Sequence, residues 1–251
     1  MREDMYDFNI VTTFDKKHTW GHDMVESCDK HLPSNCLITV YIEEKMENRE
    51  RIIYRPLDTN IIESFNLKFS PIRDRVLSPR AKAEGDRGYN YRFDAGRFCY
   101  KMFAMELSAR FPKSRYLVWV DADVLFNSSP DEQWFHDLIE EGCYTSYLHR
   151  VPVYGHSETG FIVFDTHHSY HSIWWDTVAK IYNECLFPSL PIKGWTDSHI
   201  HDYMIALSEK DGVKHKRLSD NAGHAWNESP LIEHCRHYKG IRKEGEHGSN
   251  K

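Results

Sequence analysis

Asp121-Ala122-Asp123 places two carboxylates at the end of the most apolar β-type run in the chain, Tyr116-Leu117-Val118-Trp119-Val120, and Val124-Leu125-Phe126 follows. Carboxylate oxygens suit a hard divalent cation, and the carboxyl ends of strands are where open α/β sheets bind ligands. Two acids there can hold a cation between the protein and an anionic substrate, which points to a metal-dependent enzyme that uses a nucleotide. Residues two apart on an extended strand face one side. Asp123 is the first choice for direct coordination, and Asp121 contacts a ribose or reaches the metal through water.

Other residue groups have chemistry of their own. Arg92, Asp94, Arg97 and Lys101 form a charged cluster on a segment with helical spacing. Arg97 and Lys101, four apart, share a helix face and can present two positive charges to a phosphate or a sugar acid. Glu158-Thr159-Gly160 leads into a further predicted buried strand, Gly160-Phe161-Ile162-Val163-Phe164, and a glycine there lets backbone approach a ligand closely. Asp197 and Asp202 fall on a short helix, where Asp197 can equally be an amino-terminal cap. The 16 histidines, His199-Ile200-His201-Asp202 among them, match no zinc-hydrolase spacing such as His-Glu-x-x-His.

The elements that must position these groups read as alternating strands and helices. Phe8 to Phe14 predicts a buried strand, with Thr12, Thr13 and Phe14 at its ligand end lining a nucleoside pocket. Met24, Cys28 and Leu32 predict a helix, and Cys36 to Ile42 a second strand, which makes a βαβ opening. Ile52-Ile53-Tyr54 predicts a short third strand. Asn60 to Asn90 has no clean period and is expected to be a mobile loop or irregular connection. Arg92 to Arg110 predicts a helix ended by Pro112, and Pro130-Asp131-Glu132 opens another with its acids in the first turn. Tyr170 to Leu186 and Asp197 to Leu207 complete the helices, on either side of a Pro-rich stop. The fold class expected is α/β: a Rossmann-type mixed, mostly parallel sheet flanked by helices. Residues 1–243 are read as one domain and 244–251 as a polar, fraying tail.

Composition bounds the function. The 251 residues suit one α/β domain, and 40% hydrophobic with 28% charged residues is ordinary for a soluble protein. Aromatic content is high at 14%, which suits a site that stacks on nucleobases or sugar C–H faces. A formal charge of −6 argues against a general nucleic-acid binder. Six scattered cysteines without a Cys-x-x-Cys pair indicate no disulfide framework and a reducing, cytoplasmic setting. No apolar stretch approaches the roughly 20 residues of a membrane span. Oligomeric state is not legible.

Three segments in order resemble the GT-A-fold glycosyltransferases: Tyr116 to Phe126 with its Asp-x-Asp, Trp195 to Asp202, and His237-Tyr238-Lys239-Gly240-Ile241-Arg242-Lys243. The last is similar to the His-x-x-Gly-x-x-Lys signature of the glycogenin and lipopolysaccharide galactosyltransferase group, and it is the most specific of the three. The resemblance implies a GT-A-like sheet, Mn²⁺ or Mg²⁺, a nucleoside diphosphate sugar donor, and a glycan or other hydroxyl acceptor. It makes His237 the third metal ligand beside Asp121 and Asp123, with His234 as a competitor. Gly240 and Lys243 would then face the donor diphosphate. Asp94 and Arg97 would contact the donor sugar with Lys101 nearby, and Glu158 would orient donor or acceptor. Asp197 or Asp202 would supply the catalytic carboxylate, as the base of an inverting transfer or as the polar group under the anomeric carbon of a retaining one. The family pattern continues with Pro-Trp, where this chain has Glu244-Gly245.

Two competitors share the need for a nucleotide crevice. A sugar-nucleotide nucleotidyltransferase carries a Gly-rich phosphate loop after its first strand, and Thr12 to Trp20 holds no glycine. A non-catalytic nucleotide- or carbohydrate-binding protein would keep the same metal site.

Overall fold

The computed structural model describes residues 6–77, 91–150, 155–220 and 224–238. Nine strands are present among them: β1 (Phe8–Thr13), β2 (Cys36–Ile42), β3 (Ile52–Pro56), β4 (Tyr116–Val120), β5 (Val124–Phe126), β6 (Cys143–Leu148), β7 (Glu158–Asp165), β8 (Lys214–Ser219) and β9 (Cys235–His237). Seven form one sheet in the order β3-β2-β1-β4-β7-β6-β8. The pairings β1/β2, β2/β3, β1/β4 and β6/β8 are parallel, and β7 runs antiparallel to both its neighbours, β4 and β6. This is the mixed, mostly parallel α/β architecture expected of a GT-A-like chain.

The helices are α1 (Thr19–His31), α2 (Thr59–Leu77), α3 (Ala95–Arg110), α4 (Glu132–Asp137), α5 (His171–Asn183) and α6 (Asp197–Lys210). They cover both faces of the sheet, so β1, β2 and β4 are buried nearly throughout and read in sequence as largely apolar runs, unbroken in β4 and interrupted by the buried Asn9, Thr12 and Thr39 in β1 and β2. Alternate residues feed two cores. Val11, Leu117, Trp119, Ile162 and Phe164 pack with α2, α3, α5 and α6. Phe8, Ile10, Val118, Val120, Phe161 and Val163 pack with α1, α4 and the β5/β9 ribbon.

The segment expected to lack regular structure is instead the helix α2 as far as Leu77. Its apolar stripe is Ile62, Phe65 and Phe69, all buried, with Ile72 packed beside them. Phe65 stacks on Phe69 at 5.4 Å and meets Phe103, Tyr182 and Phe187. Pro71 within the helix and the many polar residues between the stripe positions dilute the period. Tertiary burial supplies what local propensity lacks. Residues 78–90 lie outside the described part.

Four strands were not foreseen, the three-residue β5 among them. β6 carries no strict alternation in its sequence, Cys-Tyr-Thr-Ser-Tyr-Leu. β8, Lys-His-Lys-Arg-Leu-Ser, is a charged edge strand, a composition that discourages further pairing. β9 is three residues long and exists by pairing with β5, Val124 opposite His237 and Phe126 opposite Cys235. That pairing brings the late His237 to the Asp-x-Asp turn.

Candidate functional site

The sheet reverses its direction of growth at β1, with β2 on one side and β4 on the other. Ligands bind outside the carboxyl ends of strands at such a switch point. A crevice of about 430 Å³ lies there, walled by Thr13, Phe14 and Asp15 after β1, Ile42 and Glu43 after β2, and Trp119, Asp121, Ala122 and Asp123 after β4. Arg97, Phe98, Tyr100 and Lys101 of α3 close one side, and His18 and Trp20 at the start of α1 another. The His18 and Trp20 rings stack at 4.8 Å.

Of the residues expected at the nucleoside pocket, Thr13 and Phe14 line the crevice, and Thr13 Oγ1 donates to the Tyr41 carbonyl at 2.8 Å. Thr12 is fully buried, does not line the crevice, and sits one residue out of phase with Val11 and Thr13. Phe14 owes its position to Gly21, because a Cβ at Gly21 would stand 2.3 Å from two atoms of the Phe14 ring. Gly21→Ala is therefore expected to push the ring from the crevice wall, costing about 1–3 kcal/mol of stability. Paired thermal melts and nucleotide titrations check this; a variant that melts and binds like the parent would contradict it.

Lys101 is the centre of the buried polar structure. Its ammonium lies 2.9 Å from Asp121 Oδ1 and 2.7 Å from Asp197 Oδ2, and donates to the Thr159 carbonyl at 2.5 Å. Burial opposes its charge, yet the two carboxylates outweigh burial and hold its pKa above the ordinary lysine value. Asp197 is the first residue of α6 after Thr196, so its charge also faces the positive end of that helix. Burial alone would raise its pKa; Lys101, the Thr159 hydroxyl at 2.8 Å and the Ser198 N–H together hold it below the usual carboxylate range. Trp119 Nε1 donates to Asp121 Oδ1 at 2.7 Å. Lys101 thus engages acids of the site, while Arg97, one turn earlier on α3, lines the crevice.

On the other side of Asp121 stands the imidazole of His237. Its Nε2 lies 3.1 Å from Asp123 Oδ1, the side chain is 3% exposed, and its ring packs on Trp226 at 4.8 Å. Its Nδ1 is buried without a hydrogen-bond partner among the described residues. Asp121, Glu158 and His237 each offer one ligand atom, all within 4.8 Å of one another. Glu158 Oε2 pairs with Arg150, and Oε1 accepts from Gly160 N at 3.2 Å. The antiparallel β7 makes this meeting possible: its first residues sit beside the last of β4, with Asp121 N donating to Gly160 O at 2.8 Å. Gly160 is required there, since a Cβ would come within 2.8 Å of His237 Cε1. These residues fit a divalent cation by donor type, spacing and an unpartnered nitrogen.

The remaining expectations fall elsewhere. Asp94 precedes α3, is buried, makes no side-chain capping bond and does not line the crevice. Asp202, one turn into α6, accepts from Ser157 N at 2.8 Å. Burial would raise its pKa, but His201 and Ser157 hold it low. His199 bonds Thr196 and stacks near His156, whereas His201 packs on Tyr147 and Trp174, so the two do not converge on one ion. His234 bonds Ser128 and packs on Trp134, away from the acids. Gly240 and Lys243 lie outside the described residues. Sequence reading gave no role to Thr159, Trp119 or Trp226; a hydroxyl after Glu158 and a tryptophan two before Asp121 were the available signals. Among the described residues no helix is long and apolar enough to cross a membrane, and all six cysteines are buried and free.

No family model matches the chain, and no curated protein sequence matches it. Solved structures do. The WbbM bifunctional glycosyltransferase superposes over 94% of this chain and 46% of its own, at 12% identity and a TM-score of 0.53. A glycosyltransferase involved in glycosylation of the major capsid of PBCV-1 covers 95% of this chain and 97% of its own, at 14% identity and 0.49. Mouse xyloside xylosyltransferase 1 covers 85% of each chain, at 11% identity and 0.48. The likeness is one of fold, carried by the WbbM superposition, and the chain spans about half of that longer protein.

Proposed function

We propose that this chain is a metal-dependent glycosyltransferase that moves a sugar from a nucleoside diphosphate sugar to a hydroxyl acceptor. The observation that carries the reading is the cluster that Asp121, Asp123 and Lys101 join to the crevice. There four carboxylates, of Asp121, Asp123, Glu158 and Asp197, meet the cations Lys101 and Arg150. These carboxylate oxygens and the imidazole nitrogen of His237 make a donor set that suits a bound Mn²⁺ or Mg²⁺. Asp121, His237 and Glu158 would offer ligand atoms to the ion, with Asp123 against the Nε2 side of the imidazole. Bound there, the cation would offset charge that grows on the departing diphosphate.

The chain's own residues do the rest. Phe14, His18 and Trp20 offer aromatic surface for a nucleobase beside the metal acids, and Arg97 offers a cation for the donor's phosphates or sugar. Lys101 fixes Asp121 and Asp197 in place. Asp202 and Glu158 stand on the side of β7 and α6, where an acceptor would approach. Gly240 and Lys243 are assigned to the diphosphate by the sequence signature alone. Six buried, free thiols agree with work in a reducing cytoplasm. Residues 1–243 act as one domain in this reading.

The test is incubation with a panel of nucleoside diphosphate sugars, with Mn²⁺, with Mg²⁺ and with chelator, while free nucleoside diphosphate is assayed. Metal-dependent release from at least one donor is expected. Tight nucleotide binding with no release from any donor would instead make the protein a binding module.

A further inference from the structure

Away from the crevice, the sheet face under the carboxyl end of α3 is polar where a core would be apolar. Asn9 of β1, Thr39 and Tyr41 of β2 and Ser108 of α3 are all buried there, although Val11 and Leu117, neighbours of Asn9 on the same face, join the apolar core. These four line a second cavity of about 240 Å³ that shares no lining residue with the crevice. On β1 it lies at Asn9, roughly 13 Å of strand before Thr13. We propose that this cavity binds a single sugar ring that carries one anionic group, a carboxylate or a phosphate. The proposal goes beyond the metal-dependent reading and does not depend on it.

Burying an amide and hydroxyls in a sheet face costs free energy unless they are hydrogen-bonded. Here Thr39 Oγ1 donates to Asn9 Oδ1 at 2.8 Å, and Ser108 Oγ donates to the Tyr41 hydroxyl at 3.1 Å. Each pair fixes its members in place. Neither bond uses the amide N–H groups of Asn9 or the phenolic proton of Tyr41. Burial pushes the Tyr41 phenol above its ordinary pKa, with Ser108 and Arg55 opposing, so the group is a neutral donor at physiological pH. A few polar groups held rigidly in a cavity wall are what orients a small ligand, and hydroxyls and an amide match the hydroxyls of a sugar.

The rim supplies the charge and the ring. Arg55 of β3 stands beside Tyr41 in the ladder, and Lys113 follows α3. Among the described residues the lining holds these two cations and no carboxylate. Glu106, the acid that acts on Tyr41, is ion-paired with Arg110 and does not line the cavity. A guanidinium fork with an ammonium near it suits a carboxylate or a phosphate. Phe111, just past α3, lines the same cavity yet is 66% exposed, so its ring face is open to the C–H side of a pyranose. The volume falls below the roughly 300–1,000 Å³ of sites for drug-sized ligands and admits one ring rather than a chain of them.

Binding should be measured by calorimetry and saturation-transfer NMR on the full chain, with chelator present to keep the metal site out of the readout. The probes are glucuronate, glucose 6-phosphate, glucose and inorganic phosphate. At least one of the two anionic sugars is expected to bind about 10-fold or more tightly than both glucose and phosphate. Preference for glucuronate assigns the carboxylate, and preference for glucose 6-phosphate the phosphate. Arg55→Gln should weaken that binding about 10-fold and Phe111→Ala about threefold, whereas Asp121→Asn, in the crevice, should leave it unchanged. Metal-dependent donor release by Arg55→Gln should match the parent. Lys113→Gln, at an exposed position, serves in place of Arg55→Gln should that variant fail to fold. The proposal is overturned if neither anionic sugar binds, if phosphate alone binds as tightly as the sugars, or if Asp121→Asn abolishes binding that Arg55→Gln retains. None of these outcomes touches the metal-dependent reading, which the donor panel tests.

Discussion

Asp121→Asn is expected to lower metal-dependent turnover about 10³-fold. Asp121 stands where the buried polar structure meets the crevice, with Oδ1 taken by Lys101 and Trp119 and the carboxylate within the ligand group of His237 and Glu158. Asparagine keeps the shape and the acceptor for Trp119 but removes the charge. Losing one preorganised electrostatic contact costs roughly 10²–10³ in rate, and the weakened cation adds to it. Lys101 keeps Asp197, so the fold should survive with a moderate loss of stability. Donor turnover at saturating Mn²⁺, with circular dichroism as the folding control, measures this. Turnover within tenfold of the parent would mean that Asp121 does not serve the ion.

Lys101→Met should act on stability as strongly as Asp121→Asn acts on rate. It fills the space but strands Asp197, a buried carboxylate whose ion-pair partner is gone. Removing one member of a buried pair costs about 3–5 kcal/mol, which for a chain of this size lowers the melting temperature by roughly 10 °C. The pH response should invert. In the parent, Asp197 has a depressed pKa, so its contribution is present above the unfolded carboxylate range and is lost as pH falls through the folded value. The raised pKa of Lys101 gives the complementary limit: its contribution is lost as pH rises through that value in strong alkali. Without Lys101, burial dominates and raises the Asp197 pKa. The variant should then be most stable in mild acid and weaken toward neutrality. Melting curves between mild acid and neutral pH decide it; parallel parent and variant profiles would refute the account.

How much of this was legible before folding follows from the kind of signal each part leaves. Strands covered on both faces leave largely apolar runs, so β1, β2 and β4 could be read directly, and Asp121-Ala122-Asp123 gained meaning from the run before it. The helices with clear stripes, α1, α3, α5 and α6, were legible to within a turn or so at their ends. α2 was not, because only Ile62, Phe65, Phe69 and Ile72 mark its buried side and Pro71 interrupts the pattern. β9 was invisible because three residues have no period, and its existence depends on β5 across more than a hundred residues. His237 could be singled out by the residues that follow it, but its contact with Asp123 and its nearness to Asp121 and Glu158 could not. Lys101 was seen as one of a pair of helix-face cations. Its enclosure by acids from β4 and α6 is a property of the packing alone.

The short β5/β9 ribbon also sets an order of assembly. All seven strands of the large sheet precede Asp220, and His237 arrives only after the last of them. A nascent chain on the ribosome can therefore complete its sheet, its crevice and its Asp121–Lys101–Asp197 latch while the imidazole has yet to emerge. On the metal-dependent reading, the imidazole joins the acids of the site only after the sheet that carries them has been synthesised.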